Sequence, residues 1–248
     1  MNSTRRSSIA AGALFIIASV TALAAAPLTP ALTGIDYLTG VASHPSQLAA
    51  VALVYLIAAG TSVGIAIALY PVLKKVSAML ALGSVAFRTI EGVMYTGAAV
   101  SLLSVRTLAG QFATAPAADR APIHVLADSL VSARDHWTLA GVFAYSVGAL
   151  MYYAMFYRSR LVPRWLSVWG ATGILMILVA CLLALFNDHP VTGYTLLIVP
   201  IAVQEIVLAV WLLVKGFSLS PMGEGGLPDG NGSGGGHSPC ACPNSPAW

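Results

Sequence analysis

Six apolar runs, residues 8–27, 48–70, 76–105, 137–157, 166–186 and 193–214, are joined by segments that hold nearly every charge of the chain. Only Arg88, Glu91 and Glu205 lie inside the runs. A helix needs about 20 predominantly apolar residues to cross the hydrocarbon core of a bilayer. The other solvent is excluded by composition. Of 248 residues, 8% are Asp, Glu, Lys or Arg, and mean hydropathy is +0.83. Soluble domains carry about 25% charged residues, which solvate their surface. The expectation is an all-α polytopic membrane bundle of six transmembrane helices, with the lipid bilayer as its partner. A net charge of +3 is too small to point to nucleic acid. Cys181 lies in an apolar run, and Cys240 and Cys242 lie near the C-terminus, so no disulfide framework is expected. No cofactor is implied.

Lys and Arg collect on the cytoplasmic side of membrane proteins. With six spans, Arg5, Arg6, Lys74, Lys75, Arg158, Arg160, Arg164 and Lys215 all fall on one side. The opposite side holds Arg106, Arg120 and Arg134, in one long loop, with Asp36, Asp119, Asp128, Asp135 and Asp188. Both termini are therefore predicted to be cytoplasmic, with residues 1–7 preceding the first span. TRRSS followed by an apolar run and ALAAAP also fits a cleavable signal. The length of the run and Pro27 at its end favour an uncleaved first span.

The outer loop 106–136 is predicted to contain a short amphipathic helix. Ile123, Leu126, Leu130 and Val131 recur at helical spacing, with Asp119 as its cap and Pro122 in its first turn. It would lie on the membrane surface or over the bundle. Residues 219–248, rich in Gly and Pro, hold too few apolar residues for a core and are expected to be disordered.

The three charges inside the runs need an explanation. One ionised group at mid-bilayer costs about 2.5–3.5 kcal/mol on insertion scales. At about 1.5 Å rise per residue, Arg88, Glu91 and Glu205 fall at one depth. Ser84, Arg88, Glu91 and Tyr95 share one helical face, and Gly92 beside it admits a close neighbour. The expected centre has Arg88 bridging Glu91 and Glu205, with Tyr95, Gln204, Tyr145 and Tyr152 nearby. Tyr55 and Ser62 would complete its hydrogen bonds. Two carboxylates face one guanidinium, so one glutamate carries a proton or a further cation is present. Pro200 removes a hydrogen bond to the Leu196 carbonyl and is expected to kink the last span.

Three stretches, FRTIEGVMY (87–95), YRSRLVPRWLSVWG (157–170) and PIAVQEIVLAVWLLVKGF (200–217), resemble the bacterial domain of unknown function 4386 family. The likeness covers about residues 9–218. It implies a multi-pass protein of the bacterial inner membrane and supplies no mechanism. Arg158, Arg160 and Arg164 with Trp165 and Trp169 also read as an interfacial anchor.

No H-E-x-x-H or Walker A pattern is present, nor any G-x-S-x-G. No histidine lies at depth. One enzyme-like group remains on the outer side: His44, His124, Asp128, His136 and His189, which would hold a metal that activates water. His237 with Cys240 and Cys242 is a weaker soft-metal pattern. Three functions stay open: small-solute or proton transport or sensing at the Arg/Glu centre, a structural protein whose ion pair only assembles the bundle, and a metal-dependent hydrolase at the outer face.

Overall fold

The computed structural model describes residues 3–34, 36–187 and 189–218. Residues 219–248, including His237, Cys240 and Cys242, and also Asp188, lie outside the described residues. Among the described residues there are seven α-helices and no strand. They are α1 (Ser3–Leu28), α2 (Tyr37–Ser43), α3 (Pro45–Leu73), α4 (Ala78–Thr114), α5 (Ala117–Ser159), α6 (Arg164–Asn187) and α7 (Thr195–Val214). All but α2 are long and apolar enough to cross a membrane.

The six long helices close into a ring in the order α1, α3, α4, α5, α6, α7 and back to α1. In that order α4 and α7 stand opposite each other. The first and last helices meet through their terminal turns. Arg5 Nη2 donates to the Leu213 carbonyl at 2.7 Å and Ser8 Oγ to the Leu212 carbonyl at 2.5 Å. These are C-terminal carbonyls of α7 that its own helix leaves without a donor. A cation also suits the negative end of the helix dipole. Pro200 sits inside α7, which continues through it as one helix.

Residues 106–136 do not form a loop with a separate short helix. The chain stays helical from Ala78 to Thr114 and again from Ala117 to Ser159. At 37 and 43 residues, α4 and α5 run about 55 and 65 Å, well beyond an apolar core of about 30 Å. They project as an antiparallel hairpin at the end of the ring away from the start of α1 and the end of α7. The physical reason is a second core. Leu102, Val105 and Ala109 of α4 are buried against Ala127 of α5 and against Tyr37, Leu38 and Val41 of α2. The apolar spacing of Ile123, Leu130 and Val131 thus serves this core, while Leu126 points outward. Pro116, not Asp119, takes the cap position, and Pro122 lies in the second turn. Asp119 in the first turn suits the positive end of the helix dipole.

Tyr37 fastens α2 to this hairpin. Its hydroxyl donates to Asp128 Oδ1 at 2.9 Å, and Asp128 Oδ2 meets His124 Nδ1 at 3.0 Å. Burial, and then the bond to Asp128, holds the Tyr37 phenol above the usual tyrosine range. Its contribution to stability is complete below the unfolded pKa of about 10 and is lost as pH rises through the higher folded value. Tyr37→Phe is expected to cost about 1 kcal/mol. Hydrogen exchange of the α2 amides should accelerate, while exchange in the ring helices stays unchanged.

Candidate functional site

The polar residues of α4 set the first half of the site. Ser84, Arg88 and Glu91 are each 3% exposed and lie on one helical face. Arg88 Nη1 donates to Glu91 Oε2 at 2.9 Å. Ser62 of α3 donates to the same carboxylate oxygen. That reach depends on Gly92, where a Cβ would stand 3.0 Å from Val63 Cγ2 and 3.2 Å from the Ala59 carbonyl oxygen. The bare backbone lets α3 come close enough for Ser62 to touch Glu91. On the other side, the guanidinium carbon lies 4.8 Å from the Tyr145 ring centroid and 5.7 Å from that of Tyr152. These tyrosines are seven apart on α5 and present one face to the cation.

Glu205 forms the second half and stands apart. Its Oε1 accepts from the Tyr145 hydroxyl at 2.8 Å. Arg88 makes an ion pair with Glu91 and none with Glu205, so it does not bridge the two carboxylates. The reason is the ring order: α7 faces α4 from across the bundle, and the guanidinium is taken by the glutamate one turn along its own helix. Tyr145 stands between, its ring against Arg88 and its hydroxyl on Glu205.

These groups line one end of a cavity of about 250 Å3 on the ring axis. Arg88, Glu91, Tyr95, Tyr145 and Glu205 all reach it. The space exists because α1 turns Ala18, Ala22 and Ala25 toward it, at helical spacing from Phe15. Toward the start of α1 and the end of α7 the ring is filled by Phe15, Tyr152, Tyr153 and Phe156, all less than 2% exposed. Toward the other end the cavity lining reaches exposed Thr192.

Gln204 and Tyr152 do not line the cavity. Gln204 Oε1 accepts from Tyr153 Oη at 2.6 Å and its Nε2 donates to the Leu166 carbonyl at 3.1 Å, tying α7 to α5 and α6. Tyr152 lies beneath the guanidinium with its hydroxyl unpaired, and Arg88 Nε is likewise buried without a partner. Tyr95 reaches the cavity with its ring 6.1 Å from Tyr55, edge to face. Sequence reasoning missed Tyr153 and the alanine stripe of α1. Tyr153 is adjacent to Tyr152 but points to another neighbour, and alanines in an apolar run give no sign of which face lacks a partner.

The outer histidines do not gather. Among the described residues no three His, Cys, Asp or Glu side chains are placed to hold a metal. His124 and Asp128 pair with each other and Tyr37, His44 Nδ1 lies 3.0 Å from Ser43 Oγ, and His136 and His189 are exposed.

Six apolar helices around a buried ionisable centre define a multi-pass membrane protein. The model of the family described as Domain of unknown function (DUF4386) matches residues 10–216, and the chain belongs to that family. No curated protein and no solved structure matches it.

Proposed function

We propose that the protein binds and carries a small solute or a proton through the central cavity, with Glu205 as the accepting group. The observation that carries this reading is the unequal treatment of the two glutamates. Glu91 is 3% exposed and held by Arg88 and Ser62. Glu205 is only partly buried, lines the cavity, and is held by the Tyr145 hydroxyl. Arg88 and Glu91 neutralise each other, which leaves Glu205 as the lining carboxylate without an ion pair, free to take a proton or a cation. Intramembrane ionisable groups are expensive and mark such pathways. We place both termini and the basic connectors in the cytoplasm of a bacterial cell, with the protein in its inner membrane. The cavity then faces outward past Thr192.

The buried Arg88–Glu91 pair, with Ser62 on Glu91 and Tyr145 and Tyr152 against Arg88, favours a second, structural reading for that pair alone: it fixes α4 against α3 and α5. In proteoliposomes holding a pH-sensitive dye, the wild-type chain should dissipate an imposed pH gradient and Glu205→Gln should not. Infrared titration should show a carboxylic acid band that is absent from the variant. Equal proton flux in both, with no difference band, would remove Glu205 from the function.

A further inference from the structure

The chemistry of the cavity wall narrows the class of solute, resting on the reading that Glu205 is the accepting group. We propose that the occupant is a small organic ammonium ion with an apolar body, and that it enters from the bilayer between α1 and α7. Tyr55, Tyr95 and Tyr145 line the same cavity as Glu205, Tyr145 with its hydroxyl on the carboxylate and its ring against Arg88. A carboxylate attracts an ammonium group, and the Tyr55 and Tyr95 rings in the same cavity offer quadrupoles that favour a cation. The lining carries two carboxylates, Glu91 and Glu205, against the one guanidinium of Arg88, which already pairs with Glu91, so the cavity disfavours an anion. Most of the rest of the wall is alanine, valine and isoleucine, including Ala58, Val142 and Ile177, which suits an apolar body. At about 250 Å3 the space is smaller than the roughly 300–1,000 Å3 of drug-sized sites, so the ligand is small.

The route follows from where α1 and α7 touch. Arg5, Ser8 and Gly12 of α1 meet Ala209, Leu212 and Leu213 of α7, all in the half that holds the start of α1 and the end of α7. In the other half, Ala18, Ala22 and Ala25 of α1 and Ile198 and Ala202 of α7 line the cavity. Ala22 lines it and is nevertheless exposed, so the wall is open there. A neutral amine dissolved in the apolar layer meets that opening directly and takes the proton of the Glu205 carboxylic acid, which leaves the ammonium–carboxylate pair. The ammonium group and a proton compete for the same carboxylate, so binding weakens as pH falls and Glu205 protonates.

The test uses the full chain in lipid nanodiscs with 2-phenylethylamine, against neutral 2-phenylethanol and anionic 3-phenylpropanoate. The amine should raise the thermal midpoint and the two isosteres should not, a comparison that needs no variant. Glu205→Gln should weaken amine binding about 30-fold or more, as expected when the partner of a buried charge is removed. Ala22→Trp, which fills the opening, should slow capture of amine preloaded into the lipid more than capture of amine supplied from water. Equal shifts from amine and alcohol, or no shift from any of the three while the Glu205 band still titrates, overturn the ligand class and leave the proton reading standing. Loss of the band itself overturns the reading beneath it. An unchanged capture rate in Ala22→Trp, or equal slowing of amine from lipid and from water, overturns the lateral route.

Discussion

Arg88→Met should yield a chain that inserts but unfolds far more easily, with a loss of about 3–5 kcal/mol, the cost of removing one partner from a buried ion pair. Glu91 would keep its burial and its bond from Ser62 but lose the guanidinium 2.9 Å away. The two tyrosine faces that flank Arg88 would lose their cation as well. Thermal unfolding in detergent, followed by loss of the monodisperse species, measures the effect. Arg88→Met with Glu91→Leu should recover most of it, because well-packed apolar groups often replace a buried pair without loss. A single variant as stable as wild type would mean that the pair contributes nothing to assembly.

Gly170→Ala is the second large effect and arises from packing alone. A Cβ at residue 170 would stand 2.2 Å from Tyr153 Cε1 and 2.3 Å from its Cζ. The ring has little room to move, being 1% exposed with its hydroxyl held by Gln204. Overpacking of this kind costs about 1–3 kcal/mol. α6 would have to move away from α5, and Gln204 would lose Tyr153 or the Leu166 carbonyl. Adding Tyr153→Ala should cost less than the sum of the two single changes, since the clash disappears with the ring. Additive losses would show that the two residues do not meet.

These two sites differ in how far the sequence exposed them. Arg88 and Glu91 stand out in an apolar run, and their spacing of three puts both on one face of any helix. Ser62 could be paired with them because a polar residue in a bilayer needs a partner. The Arg88–Glu205 contact was a wrong inference of the same kind. Depth along each helix follows from counting residues, but which helices are neighbours does not. Tyr145 fills the gap between the two charges, which only the ring order explains. Gly170 is one glycine among many in the chain, and nothing local marks it as the place where a tyrosine ring crosses. The hairpin of α4 and α5 was obscured for another reason. Arg106 and the polar residues after it resemble a loop at the membrane edge, yet Leu108, Phe112 and Ile123 carry the helical stripe onward because α2 and the start of α3 stand ready to cover it.

The chain's own residues determined that it is helical, that it crosses the bilayer six times, and that three ionisable groups must hide from lipid, because hydrocarbon satisfies neither backbone amides nor charges. Tertiary structure alone decided how those groups divide: a guanidinium closed against one carboxylate, and the other left facing a cavity. That division depends on the cyclic order of the helices and on where small side chains leave space, and apolar runs that differ little in hydrophobicity do not encode either one locally.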